Sequence, residues 1–580
     1  MHPKLLILAM LAFLVACAQQ PLKTTSAAAT ANEDEQEEQP AGAAKNQTLP
    51  KQELSKGVLY ELLLGEIAGQ RGQLDVATKA YVDLAITTRD PRIAQRATEI
   101  ALYARQPEAA LQAARVWADV DPDSAQARQT LVALLISSRK LEEARPIIEK
   151  LFSAEGQNVG QGFMQLNGLL SKYPDKPAAL SLVQELAQHY PRVAEAHLAI
   201  GQAAWSAMQF DVALSEVRKA LELRPAWELA ALFQGQVLQH TSNKLALEYM
   251  RGYLKSYPKA KDVRLNYARL LVAEKDYPQA RSEFRKLRAA FPNNAEVSLA
   301  VGLLSMQLND FEAAEASFRE ALSQNYKDPD SVRFYLGQIY EERKHYDEAL
   351  RWYGGVGVGD QYLNAQTRYA GVLAKQGKLA DARKFLSQIA AQDNQQRMQI
   401  ILTEGQLLRE AAHYQEAFDL LGHALEKNPD YADLLYDYAM AAEKLNRLDV
   451  LEASLRKLIQ LKPDYAHAYN ALGYTLADRT DRLAEAMQFI EQALQLAPED
   501  PFIMDSMGWV QYRLGNLKEG ATYLRRAFAD RPDPEIAAHL GEVLWVQGKH
   551  EEAETIWQTS LKDNPGNEAL QNVIKKFANK

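Results

Sequence analysis

The chain has 580 residues, 47% of them apolar and 24% charged, with a formal net charge of −9 and a single cysteine. That much apolar sequence can bury a large core, and the acidic balance supplies no basic stripe for nucleic acid. One cysteine excludes an internal disulfide.

Residues 1–16 carry one positive residue, Lys4, followed by an apolar run over 5–15. This reads as a secretory signal, too short for an ordinary spanning helix. It ends Leu14-Val15-Ala16-Cys17, which resembles the bacterial lipobox. The resemblance implies a diacylglycerol on Cys17, removal of residues 1–16 and acylation of the new terminus. Ala18, where an Asp would retain the protein at the inner membrane, implies an outer-membrane lipoprotein facing the periplasm. Removing Lys4 and no acid would take the net charge from −9 to −10. Residues 17–56 hold the lipid-bearing Cys17 and then a stretch rich in Ala, Gln, Thr and Glu, with an acidic knot at Glu33, Asp34, Glu35, Glu37 and Glu38. Core formers are nearly absent, so the expectation is a disordered tether with a typical reach of roughly 35 Å.

From residue 57 to 566 the chain repeats. Small residues recur at Gly201, Gly235, Gly302, Gly337, Gly405, Gly473, Gly508 and Gly541, separated by one or two periods of 33–35 residues. Prolines at 191, 225, 258 and 292, and again at 429, 463, 498, 532 and 565, keep the same period. Alanines follow the small residue by twelve positions at Ala213, Ala314, Ala349, Ala417 and Ala553. Within 464–498, Tyr469, Leu472, Gly473 and Leu476 share a face of one helix, Ala486, Ile490 and Ala493 share a face of the next, and Pro498 closes the unit. Two helices approach closely only where a small residue faces a bulky one, and such a hairpin buries its apolar faces only against copies of itself.

This pattern resembles the tetratricopeptide repeat, as Met507, Gly508, Gly520, Leu524, Ala527 and Pro532 also illustrate. The resemblance implies an all-α, right-handed superhelical solenoid of about fifteen helix pairs plus a capping helix. The units are expected at 58–91, 92–122, 125–155, 163–191, 194–225, 227–258, 261–292, 295–328, 330–360, 362–393, 397–429, 431–463, 465–498, 501–532 and 534–565. A polar break is expected at 153–162. Gly355, Gly357 and Gly359 lie between helices with no Gly-Lys-Ser/Thr after them, which fits an inter-repeat turn and not a phosphate loop. Residues 567–580 read as the cap, with Leu570, Ile574 and Phe577 on one face.

No catalytic or metal-binding motif appears, and Glu341-Glu342 and Glu551-Glu552 read as solvated helix faces, so neither an enzyme nor a cofactor is expected. In this family the inner groove is lined from the first helix of each pair. Carried onto this chain, that selects Tyr436, Met440, His467, Asn470, Tyr474, Asp478, Asp505, Trp509, Tyr512, Arg513, Glu542 and Trp545. Rings beside Asn, Asp and Arg suit an extended polypeptide, although Trp509 and Trp545 would equally serve to pack one repeat on the next. Tyr436, Asn470 and Asp505 stand where the family's chaperone-tail clamp wants Lys and Asn, so that mode is not expected. Lipobox, acidic tether and very long array together resemble the outer-membrane lipoprotein that partners a periplasmic carboxyl-terminal processing protease. That resemblance implies an adaptor binding the serine protease and its substrates, the peptidoglycan cross-link hydrolases. The competing expectation is an assembly factor or pilotin for a secretin or barrel complex, a class that usually has fewer repeats.

Overall fold

The computed structural model describes residues 54–578; the signal, Cys17 and nearly all of the tether lie outside the described residues. Within them the chain forms 31 α-helices and one short 3-10 turn, with no strand. No helix among the described residues is long and apolar enough to cross a membrane. Two compact units divide the chain, Met1–Gln324 and Asn325–Lys580. The first holds eight antiparallel helix pairs, from Lys56–Gln70 with Leu74–Thr88 to Ala295–Gln307 with Phe311–Ser323. The second holds seven pairs, from Pro329–Glu342 with Tyr346–Gly354 to Pro534–Val546 with His550–Asp563, and ends in the helix Glu568–Ala578.

The small residues let the paired helices touch. A Cβ on Gly473 would lie 2.6 Å from Ile490 Cγ1, 3.0 Å from the Ala486 carbonyl oxygen and 3.2 Å from the Ile490 nitrogen. Leu472, Ala486, Ile490 and Ala493 around it are fully buried. Gly541 meets Trp557 in the same way, and Gly508 meets Leu524 and the Gly520 carbonyl. The turn inside a pair also repeats. In most pairs the residue two before the second helix has a left-handed φ, as at Lys275, Ala412, Asn446, Gly515 and Gly548. Around Gly515, the Asn516 N–H reaches the Gln511 carbonyl at 2.9 Å and the Gly515 N–H reaches Tyr512 at 2.9 Å, closing the last turn of Pro501–Arg513. This is a Schellman ending, which satisfies carbonyls that the helix leaves open.

The prolines act between pairs. Before eight of them the preceding residue (Arg224, Tyr257, Phe291, Asn428, Lys462, Ala497, Arg531 and Asn564) ends its helix with φ between −127° and −141°, while the helix before Pro191 stops earlier, at Ala187. Crowding by the proline ring disfavours helical geometry there. Proline also begins some first helices: Pro501 and Pro534 follow Asp500 and Asp533, whose carboxylates accept from Phe502 and Glu535 N–H groups at 2.9 Å.

The structure corrects the sequence expectation at Glu341, which is no solvated face: its carboxylate is enclosed and accepts from Tyr353 at 2.7 Å, Lys375 at 2.8 Å and Arg368 at 3.0 Å. Three further details refine the expectation. The break expected over 153–162 shrinks to Gly156–Asn158, with Gly156 at φ 53°, and the fourth pair starts at Val159 rather than 163. Apolar Val159 and Phe163 are buried, and their burial extends the helix through the polar stretch. The glycines at 355–359 do form a turn, but Val356 inside it is buried. The final helix buries Val573 beside Leu570 and Phe577, while Ile574 is half-buried.

A candidate protein-binding face

Four consecutive first helices of the second unit carry the expected groove residues: Ala432–Lys444, Ala466–Arg479, Pro501–Arg513 and Pro534–Val546. The structure gathers some of these residues into one cluster. His539 Nδ1 lies 3.0 Å from both carboxylate oxygens of Asp505. Its ring stacks on Trp509, with centroids 4.3 Å apart and planes 29° apart. Its Nε2 lies 3.4 Å from the Tyr474 hydroxyl, so side chains two repeats apart meet across the helix between them. Burial alone would lower the His539 pKa, but the carboxylates of Asp505, Glu535 and Asp478 outweigh it and hold the ring protonated above the ordinary range. Burial, then Asp478 and Asp505, push the Tyr474 phenol upward, so it stays neutral.

Two polar atoms in this region are enclosed and have no hydrogen-bond partner among the described residues, Trp509 Nε1 and Asn470 Oδ1. Trp509 is only 8% exposed. One atom is a donor and the other an acceptor, the complements of a peptide carbonyl and a peptide N–H. Leaving such groups unpaired costs roughly 1–3 kcal/mol each.

Other expected residues tie the repeats together. Arg513 donates to the carbonyls of Ala477 and Asp478, capping the end of Ala466–Arg479 with a cation. The Asp478 carboxylate pairs with Arg479 at 2.9 Å. Glu542 is buried, accepting from the Tyr512 hydroxyl at 3.0 Å and from Lys576 at 2.7 Å. Trp545 turns to the carboxyl-terminal end of the unit. It stacks on His550 at 4.2 Å and lies 5.8 Å from Trp557 and 5.7 Å from Phe577, so its ring area serves the cap. One repeat earlier, Tyr436 sits 5.7 Å from the Tyr465 ring, and burial pushes its phenol to about 12. Met440 packs half-buried against the core, and His467 is exposed, 6.2 Å from Tyr465.

Sequence reasoning passed over His539, Tyr465 and the pair Asp437–Arg409, which meet at 2.9 Å. Burial raises Asp437, and Arg409 opposes that rise. A signal for His539 was present: it is the lone polar residue in Ile536-Ala537-Ala538-His539-Leu540, where the other four are buried. No group of three or more metal-ligating side chains occurs among the described residues.

Family models described as tetratricopeptide repeat match residues 238–304, 299–354, 466–500 and 506–568. The TPR repeat-containing protein PA4667 of Pseudomonas aeruginosa is 34% identical over 492 residues, covering 84% of this chain and 82% of that protein. Protein O-mannosyl-transferase TMTC1 of Homo sapiens is 26% identical over 212 residues, which span 36% of this chain and 24% of that protein. Among solved structures, the thermophilic TPR protein TTC0263 of Thermus thermophilus aligns at 24% identity with a TM-score of 0.28, covering 30% of this chain and 94% of its own.

Proposed function

Since the chain belongs to the tetratricopeptide-repeat proteins, whose arrays are protein–protein interaction scaffolds, we propose that it is a non-catalytic adaptor anchored in the outer membrane. Its partners are a periplasmic carboxyl-terminal processing serine protease and the peptidoglycan cross-link hydrolases that the protease destroys. The supporting observation in the fold is the inner face of the second unit. There the Tyr474, Trp509 and His539 rings gather beside the Asp505 carboxylate. Ring area beside a carboxylate–imidazole pair suits an extended polypeptide.

Anchoring is supported by the lipobox ending at Cys17 and by the tether after it. Acyl chains on Cys17 would hold the array at the membrane, since two or more give stable attachment where one gives only marginal binding. Function then follows from proximity. Protease and hydrolase held on one scaffold meet at an effective concentration of about millimolar if both can bind at once. The protein supplies position, and the partner supplies the chemistry.

The test is to immobilise the full lipidated chain in detergent, incubate it with periplasmic extract and identify retained proteins by mass spectrometry. Recovery of a processing protease together with wall hydrolases is expected. Recovery of secretin or barrel components instead would replace the adaptor with an assembly factor.

A further inference from the structure

A cationic cavity opens where two neighbouring repeats of the second unit depart from the regular lengths. The second helix Leu379–Ser387 stops after nine residues, where the next one, Tyr414–Lys427, runs for fourteen. The first helix between them, Asn394–Glu410, runs for seventeen, against thirteen in Ala432–Lys444. Its small residue, Gly405, has eleven helical residues before it, whereas Gly473 has seven in Ala466–Arg479. The added turn, 394–397, therefore lies at the start of the helix, and Asn394, Gln395 and Arg397 on it are exposed. The Asn394 amide donates to the Asn428 side-chain oxygen at 3.1 Å, tying this turn to the end of Tyr414–Lys427.

The added turn and the end of Tyr414–Lys427 border a cavity of about 610 Å³. Its floor is apolar: Met398 is buried, and Ile401 and Leu420 are half-buried. Its rim carries Arg397 from one helix and, four residues apart on one face of the other, His423 and Lys427. All three are exposed, and their side chains make no hydrogen bond or ion pair among the described residues. No acid lines the cavity. Elsewhere the chain pairs its second-helix cations across repeats: Arg383 reaches Glu404 at 2.8 Å and Glu416 at 2.7 Å, and Arg525 reaches Glu552 at 2.5 Å. In a chain of net charge −9, three basic side chains around an apolar floor with no acid beside them point to an anion brought by a ligand. These positions are not those of the groove. Counted from Gly405, the groove offsets fall on Gln399, Leu402, Gln406 and Glu410; Arg397 lies before all of them, and His423 and Lys427 belong to the second helix of the pair.

The donors select the ligand. A carboxylate carries one charge and is satisfied by one guanidinium in two parallel hydrogen bonds. A phosphate monoester carries a charge of about −1.5 to −2 at neutral pH and three strong acceptor oxygens. That matches a guanidinium fork, an ammonium point charge and an imidazole N–H together. The floor then receives an apolar group on the ester oxygen. We propose that this cavity binds a phosphate monoester carrying an apolar chain, its phosphate held by Arg397, His423 and Lys427 and its chain on Met398, Ile401 and Leu420. A single-chain phosphate ester and the headgroup of a diacyl lipid share this chemistry. The site is independent of the proposed polypeptide-binding face and gives the scaffold a small-molecule ligand.

The test titrates the full chain with hexyl phosphate, butyl phosphate, inorganic phosphate and hexyl glucoside, followed by calorimetry and by amide exchange over 394–401 and 420–428. Hexyl phosphate should bind at one site and slow exchange in both segments. Each methylene from butyl to hexyl should tighten binding about twofold to fourfold, and inorganic phosphate and hexyl glucoside should each bind about tenfold more weakly or worse. Arg397→Gln and Lys427→Gln should each weaken hexyl phosphate about fivefold or more. Leu420→Ala should shrink the gain from butyl to hexyl, and Lys518→Gln, at an exposed cation on a later second helix, should change nothing. Circular dichroism confirms that each variant is folded. Tighter binding of dihexanoyl phosphatidic acid than of hexyl phosphate assigns the site to a lipid headgroup, and weaker binding assigns it to a single-chain ester. Hexyl phosphate binding no tighter than inorganic phosphate, binding indifferent to both Arg397 and Lys427, or no binding at all overturns the site and leaves the adaptor reading to its own test.

Discussion

Gly473 is where the sequence period and the packing physics meet most directly. In Gly473→Ala the new methyl would need to sit 2.6 Å from Ile490 Cγ1 and 3.0 Å from the Ala486 carbonyl oxygen. The Ile490 side chain could shift, but the Ala486 oxygen and the Ile490 nitrogen at 3.2 Å are backbone, so the two helices must separate. Overpacking of this kind costs about 1–3 kcal/mol, and alanine's better helix propensity returns about 0.5–1 kcal/mol. The net expectation is a loss of roughly 1–2 kcal/mol. A repeat array has no single two-state unfolding energy, so the reading is local. Native-state amide exchange in Ala466–Arg479 and Leu483–Leu496 should accelerate about 5–30-fold. Gly371→Ala is the control, because no heavy atom lies within 4 Å of its added Cβ, and it should stabilise its helix by about 0.5–1 kcal/mol. In an Ile490→Ala background the cost of Gly473→Ala should shrink without vanishing, since the backbone contacts remain. Unchanged or slower exchange in the single variant would refute the close-approach argument.

Other expectations follow from the same geometry. Asn470→Ala should leave the array as stable or slightly more so in a denaturation titration, since its enclosed oxygen has no partner among the described residues; a clear loss of stability would contradict that. Ala412→Gly should stabilise its hairpin by roughly 0.5–1 kcal/mol, because Ala412 holds φ 61°; a denaturation shift in the opposite direction would contradict the turn assignment. Glu452 accepts from Arg482 at 2.8 Å and from Arg456 at 2.7 Å, and these partners lower its carboxyl to about 2. Its contribution is present above the ordinary carboxylate value of ~4.3 and is lost as pH falls through the folded value, so exchange in Leu448–Leu461 should rise between pH ~4.3 and ~2 and Glu452→Gln should flatten that rise. His539 has the opposite sign. Its raised pKa gives stability that is full below ~6.5 and lost as pH rises through the folded value, and Asp505→Asn should lower the titration midpoint of its imidazole proton resonance.

The fold was legible because its determinants are local and repeated. Gly473 against Ile490, the proline after many of the second helices and the alanine twelve residues on each report one contact, and the period multiplies the signal. The face was only partly legible, because a first-helix position fixes where a side chain starts and its neighbours decide what it meets. Trp509 and Trp545 occupy nearby positions of successive repeats, yet one stacks on His539 and the other on His550 beside Trp557 and Phe577. Arg513 spends its donors on backbone carbonyls, a partner that no residue pattern names.

The most direct test of the adaptor is reconstitution. A purified wall hydrolase and its processing protease are incubated with and without the full chain, and loss of hydrolase is followed over time. The chain alone should degrade nothing, and adding it to the pair should accelerate degradation. An unchanged rate, with all three proteins folded and present, would contradict the adaptor.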